Sequence, residues 1–186
     1  MKQIPDPELL RKLLSYDPLT GHLYWLNRWP DICKEGNTSK ESMCRSFNTR
    51  YAGTRALTRL TGDGYFGGSL MGRTVKAHRV AWAIHTGNHP NGFIDHINGQ
   101  RGDNRFSNLR VVSPQQNVMN STSAKNSRSK YLGVTQKVGA KKWIATITYN
   151  RKQVYLGTFE QEVDAALAYN AAAKHYFGEY SRQNSI

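Results

Sequence analysis

The sequence predicts an α+β protein in two parts: a strand-loop-strand-helix unit centred on residues 93–117, then a three-stranded antiparallel sheet packed on one helix. Three observations lead there. Residues 93–117 read as a short strand carrying Asp95 and His96, a polar loop rich in Gly and Asn, a second strand at 109–112, and a helix start. Beyond residue 131 the hydrophobic period changes to two, which gives strands at 132–137, 142–149 and 153–159 with turns at Gly139 and Asn150. A helix over 160–177 follows, with Val163, Ala166, Leu167, Asn170, Ala171, Ala173 and Phe177 along one side and Gly178 closing it. The small polar stretch 118–128 reads as linker, so the expected division is a first domain at 1–120, a linker at 121–128 and a second domain at 129–186.

Taken in order, Asp6 and Pro7 open a short helix with Leu9, Leu10, Leu13 and Leu14 on one face, ending near Asp17 and Pro18. Thr20 and Gly21 turn the chain into an extended 22–26. Residues 28–62 are polar and irregular, read as a long loop with no chemistry of its own. A hairpin follows at 65–71 and 74–77 around Gly72 and Arg73, then a helix over 78–86 that Gly87 stops and that should pack beneath the 93–117 unit. After the strand at 109–112, Ser113 can cap a helix, Pro114 suits its first position, and Gln116 completes a Ser-x-x-Gln capping box.

Composition sets the partner class. The 186 residues are 38% hydrophobic, enough for folded cores, and carry a net charge of +13 from 26 basic and 13 acidic residues. The window 104–159 holds no Asp or Glu but ten basic residues: Arg105, Arg110, Lys125, Arg128, Lys130, Lys137, Lys141, Lys142, Arg151 and Lys152. A solvated surface mixes both signs, so this window reads as a track for an anionic polymer whose grip weakens steeply with salt. Cys33 and Cys44 form no Cys-x-x-Cys pair, which speaks against a zinc site or a disulfide framework and for two reduced thiols. The start of the chain has no apolar signal core and no run is of membrane-spanning length, so a soluble cytoplasmic protein without a membrane partner is expected.

The 93–117 stretch carries the candidate chemistry. Asp95 offers a hard carboxylate oxygen and Asn117, in the first turn of the helix, an amide oxygen; both suit magnesium or manganese better than zinc. His96 is a general base for water at neutral pH, although strand alternation turns it away from Asp95 unless the strand bends there. The plainer reading is an Asn-Gly turn at 98–99 beside a hydrogen-bonded Asp-His pair. Among the other histidines, His78 opens a helix beside Arg79, where capping or packing is favoured over a phosphate contact; His85 and His89 flank a helix end and a Pro turn, and His22 and His175 have no acidic or amide partners at useful spacing.

His96, then Asn108, then Asn117, with Asp95 just before the histidine, resembles the motif of HNH endonucleases of the ββα-metal class. The wording Asp-His-Ile-Asn-Gly, Asn-Arg-x-x-Asn-Leu-Arg and Gln-Asn is similar to phage and intron-encoded homing endonucleases. The resemblance implies that His96 is the general base, Asn108 ties the loop, and Asp95 with Asn117 holds one divalent cation. It has Asn117 where the family name has its last His, a variation of the homing branch. The opening Tyr-Asp-Pro-x-Thr-Gly-x-Leu-x-Trp at 16–25 also resembles the leader of many phage HNH proteins.

On the second sheet, alternation points Thr135, Lys137, Thr146, Thr148, Gln153 and Tyr155 outward, against inward Val134, Ala145, Ile147, Val154 and Leu156. Such a face can set hydroxyls and amides against base edges and lysines against phosphates. The wording Tyr-x-Gly-Val, Lys-Trp-x-Ala-x-Ile, Tyr-Leu-Gly-Thr-Phe and Ala-x-x-Ala-Tyr-Asn-x-Ala-Ala resembles the APETALA type of DNA-binding domain of plant ethylene-response factors. That implies major-groove binding through the sheet, with Lys142 and Trp143 near the backbone. Thr135 and Thr148 replace usual arginines, Thr146 a glutamate and Tyr155 a tryptophan, so the plant target does not transfer.

Together these give a magnesium- or manganese-dependent endonuclease for double-stranded DNA, acting as monomer or homodimer with no protein partner evident. Arg105 or Arg110 is either a phosphate clamp or a plain backbone contact. The alternatives are a DNA-binding regulator with an inert nuclease domain and an RNA-associated structural protein.

Overall fold

The structure, a computed structural model, describes residues 4–32, 38–114, 116 and 128–186. The chain clusters into two compact units, 1–96 with 100–111, and 97–99 with 112–186.

In the first unit, helix α1 (Pro7–Leu13) begins at Asp6, whose carboxylate accepts from the Glu8 amide, with Pro7 at the first position. The helix was expected to run through Leu14 towards Asp17, and instead it stops at Leu13. Leu14–Asp17 is strand β1, antiparallel to β2 (His22–Trp25), with Leu14 opposite Trp25 and Asp17 opposite His22. Local chemistry favours the strand: Asp17 accepts from the Leu19 amide and the Thr20 hydroxyl, closing a turn that brings β2 alongside. Leu10, Leu13 and Leu14 are all fully buried.

The expected long loop at 28–62 is also corrected. It contains helix α2 (Lys40–Tyr51), capped by Ser39, and a short strand β3 (Arg59–Leu60). Cys44 is the one buried side chain of α2, so the helix has almost no apolar stripe to betray it. Its Phe47 instead packs edge-on against Trp25, and Arg28 lies over the Phe47 ring.

Strands β4 (Phe66–Leu70) and β5 (Arg73–Lys76) complete an antiparallel sheet in the order β3-β4-β5. Their turn is at Met71 and Gly72, both left-handed, one residue earlier than expected. Helix α3 (Ala77–Thr86) ends on Gly87 in the left-handed conformation. Its Val80 and Ala83 join Leu10, Leu13, Leu14, Leu23, Leu70 and Val75 in the main core. On another side, its Ala81 packs with Ile94 and Leu109 of the paired strands β6 (Phe93–His96) and β7 (Leu109–Val112).

The second unit is a three-stranded antiparallel sheet, order β10-β9-β8, and one helix: β8 (Val134–Thr135), β9 (Trp143–Tyr149), β10 (Lys152–Phe159) and α4 (Glu162–Phe177). The first strand is two residues long, where 132–137 was expected. Gly133, at φ +68, turns the chain beside the Tyr169 ring, where a Cβ would collide with that ring and with the Thr146 carbonyl. Leu132 pairs instead with the Asn184 side chain, which accepts from its amide at 2.7 Å and donates to its carbonyl at 3.1 Å.

Burial on α4 falls on Ala165, Ala166, Tyr169, Ala173 and Phe177, so the expected stripe is rotated; Val163 and Leu167 are exposed. Tyr169 sets the face, because it is the large side chain that fills the gap over Gly133. Asn170 is a latch: its amide donates to the Asn184 carbonyl and accepts from the Asn184 amide at 2.6 Å. Among the described residues no helix is long and apolar enough to cross a membrane.

Candidate active site

Strand β6 presents two buried polar side chains in succession, and they go to different partners, as the two-residue period requires. Asp95 Oδ2 accepts from Arg110 Nε at 2.9 Å and Nη2 at 2.8 Å, a fork from the neighbouring strand β7. His96 Nε2 donates to Asn104 Oδ1 at 3.1 Å.

The loop between β6 and β7 is pinned at several points. Asn108, buried on a 3₁₀ turn at Phe106–Asn108, donates to the Asp103 carbonyl at 2.8 Å. Arg105 grips the Asp103 carboxylate through Nε and Nη2. From the β1-β2 hairpin, the Tyr16 hydroxyl donates to the Asn104 carbonyl at 2.7 Å, and the Phe106 amide donates to the Pro18 carbonyl. Gly21, at φ +75, lies so close to the loop that a Cβ would stand 2.5 Å from the Arg105 nitrogen. The hairpin thus fixes the backbone of the residue that fixes His96.

A second wall comes from the sheet and α3. The Tyr65 ring lies 4.8 Å from His78 and 5.6 Å from His96, centroid to centroid, and His78 stands edge-on to His96 at 5.2 Å. Burial pushes the His78 pKa down to about 3, helped by His96, Lys76 and Arg79 nearby. Burial likewise lowers the His96 pKa, against the opposing pull of the Asn104 bond and of Asp95 and Asp103. Both rings are therefore neutral at pH 7.

Asp95 could offer one hard carboxylate oxygen to a metal, and among the described residues no three His, Cys, Asp or Glu side chains gather to hold one. One carboxylate does not fit tetrahedral zinc. It fits magnesium or manganese, which keep several waters and take further oxygens from phosphate. Asn117, the expected second ligand, lies outside the described residues, as does most of the 121–128 linker. The capping box that introduces it is formed: the Gln116 amide donates to Ser113 Oγ at 3.2 Å, and the Ser113 amide to Gln116 Oε1 at 2.8 Å.

Residues 75–119 match the HNH endonuclease family. An uncharacterized HNH endonuclease of Acanthamoeba polyphaga mimivirus is 30% identical over 94 residues, 50% of this chain and 48% of that protein. Protein 3.8 of Escherichia phage T7 is 30% identical over 82 residues, 44% of this chain and 68% of that protein. Residues 75–119 are thus an HNH endonuclease domain. The chain spans about half the length of the mimiviral relative.

The HNH domain begins at β5, so Tyr16, Gly21 and Tyr65, which shape its site, lie outside the matched region. Sequence reasoning assigned none of the three a place at the site. The Tyr-Asp-Pro-x-Thr-Gly leader carried the signal for the first two, and the geometry now gives it a purpose.

Of the other expected residues, Arg105 and Arg110 are each engaged with a carboxylate in the HNH domain. In the second unit, Thr135, Lys137, Thr148, Arg151, Gln153 and Tyr155 are exposed, and Thr146 and Trp143 are half-buried. Thr146 stands opposite Tyr155 and Thr148 opposite Gln153 across β9 and β10. Gln153 donates to the Thr146 hydroxyl at 3.3 Å, Tyr155 shares a hydrogen bond with Thr158, and Lys142 pairs with Glu160. Trp143 packs against the core cluster of Tyr131 and Ala145.

Proposed function

We propose that this protein is a divalent-metal-dependent endonuclease that hydrolyses phosphodiester bonds of duplex DNA, site-selective and of the homing kind. In this reading residues 1–120 form the nuclease domain, 121–128 a linker, and 129–186 an APETALA-type domain that grips DNA. The observation that carries it is the buried, neutral His96 imidazole, held by Asn104 directly beside the Asp95 carboxylate in sequence.

The Asn104 bond places the proton on Nε2 and makes Nδ1 the basic nitrogen. In the mechanism, His96 Nδ1 takes a proton from the water that attacks phosphorus in line with the departing 3′ oxygen. Asn104 keeps the ring in the required tautomer, and Asn108 keeps the loop closed under it. Asp95 with Asn117 would hold a magnesium or manganese ion, which supplies Lewis-acid stabilisation of the charge that develops on the leaving oxygen. Arg110 orients the Asp95 carboxylate.

For the second unit, the ladder of Thr146, Thr148, Gln153 and Tyr155 supplies hydroxyls and an amide for base edges. Lys137, Lys142 and Arg151 supply charge for phosphates, and Thr135 completes the face. Cleavage of supercoiled plasmid with magnesium, with excess EDTA, and by His96→Ala tests the reading. Nicking that requires both the metal and His96 supports it. DNA binding without cutting on any substrate would overturn it in favour of a binding protein.

A further inference from the structure

The turn that joins β3 to β4 gathers two cations next to the histidine wall. Thr61 staples it: its single hydroxyl proton is shared between the Tyr65 carbonyl, at 2.7 Å, and Asp63 Oδ1, and its amide donates to the Tyr65 carbonyl. Asp63 then holds Lys76 through its carboxylate at 2.5 Å and Arg101 through its backbone carbonyl at 2.6 Å. Both cations lie against the Tyr65 ring, Lys76 Nζ at 4.2 Å and Arg101 Cζ at 5.2 Å from its centroid. The same ring touches His96.

Ordering two long side chains costs rotamer entropy that a solvated surface pair does not recover. The charge balance is also uneven. Asp63 spends its carboxylate on Lys76, and Lys76 in turn pulls the Asp63 pKa down to about 2. Arg101 meets Asp63 only at a neutral carbonyl, so its positive charge is not answered there, and it is exposed. A planar guanidinium fixed at one corner offers its remaining donors in the fork that phosphate oxygens fit.

We infer that Lys76 and Arg101, gathered on the Tyr65 ring by the Asp63 turn, form a backbone-phosphate subsite for the DNA strand that flanks the bond at His96. The inference rests on the nuclease reading for its location, since a strand with its scissile phosphate at His96 carries the neighbouring phosphates past Tyr65. Arg101 is the lasting contact, and Lys76 trades Asp63 for phosphate as DNA arrives.

The test is equilibrium binding of a short fluorescent duplex in EDTA across about 50 to 200 mM salt, with the full chain. Arg101→Gln and Lys76→Gln should each reduce the slope of log affinity against log salt by about one and weaken low-salt binding roughly tenfold. Arg101→Lys, which keeps the charge, should retain the slope, and Lys12→Gln, an exposed cation on α1, should leave it unchanged. Unchanged slopes in both Gln variants, or an equal change in Lys12→Gln, would overturn the subsite. Since no cleavage is read, that failure is distinct from failure of the nuclease reading, which the His96→Ala nicking assay reports on its own.

Discussion

His78 stands edge-on to His96, ring centroids 5.2 Å apart and planes at 89°, and its own Nδ1 is sealed from solvent with no hydrogen-bond partner among the described residues. A buried imidazole in this state resists protonation. Its folded pKa of about 3 lies below the ordinary 6.5, so the unfolded chain binds the extra proton between those values. Stability is therefore complete above 6.5 and is lost as pH falls towards 3. Urea unfolding at stepwise lower pH should show a decline of up to about 1.4 kcal/mol per pH unit from this group alone, and His78→Phe should remove that share. A wild-type stability that is level from pH 7 to 4 would contradict this.

The pH dependence of cutting should follow His96. Burial lowers its pKa, so the neutral base persists below 6.5 and nicking rates should fall only at more acidic pH. Rates measured at saturating magnesium from pH 5 to 8 provide the check. An inflection above the ordinary 6.5 would be inconsistent with a buried base.

Tyr16→Phe removes one hydrogen bond, the one that supports the Asn104 carbonyl. The direct cost is about 1 kcal/mol of stability. More telling is the expected kinetic pattern: lower kcat with DNA affinity unchanged, because Asn104 orients His96 and touches no substrate in this mechanism. Equal loss in binding would show that the hairpin serves the DNA rather than the imidazole.

Two glycines separate conformational strain from close approach. Gly21 and Gly53 share a left-handed φ, +75 and +76, but a Cβ at Gly21 meets the backbone of Asn104 and Arg105 whereas one at Gly53 meets nothing within 4 Å. Gly53→Ala should cost roughly 1 to 2 kcal/mol from conformation alone. Gly21→Ala should cost more and should also slow nicking, since the loop must move. Thermal melts of the two variants side by side would decide the point.

Strands β2, β4, β5, β6, β7, β9 and β10, the α3 helix and the capping box at Ser113 were legible because each carries a period, a turn or a cap within a few residues. Asp95 and His96 were legible for the same reason: motif spacing is local. What stayed hidden depends on contacts between distant segments. Helix α2 buries a single cysteine and so has no stripe to read. Leu14 looked helical until the turn at Asp17 brought it a partner strand. The rotation of α4 was set by Tyr169 over Gly133, a long-range fit. His78 and Tyr65 gave no spacing signal at all, because only the tertiary fold brings them to His96.

The β1-β2 hairpin also limits how this HNH domain can be moved between proteins. A graft taken at the edges of the HNH match would start inside β5 and leave behind Leu10, Leu13, Leu14, Leu23 and Leu70, with Ile4, Ala56 and Leu57, eight of the thirteen buried residues of that core among the described residues. It would also lose the Tyr16 and Pro18 props of the loop that bears Asn104. The recipient would receive the reactive residues with nothing to hold them still. The smallest inheritable cassette therefore reaches back to α1, and recombination that cuts between Trp25 and β5 should yield chains that carry the motif but not the activity.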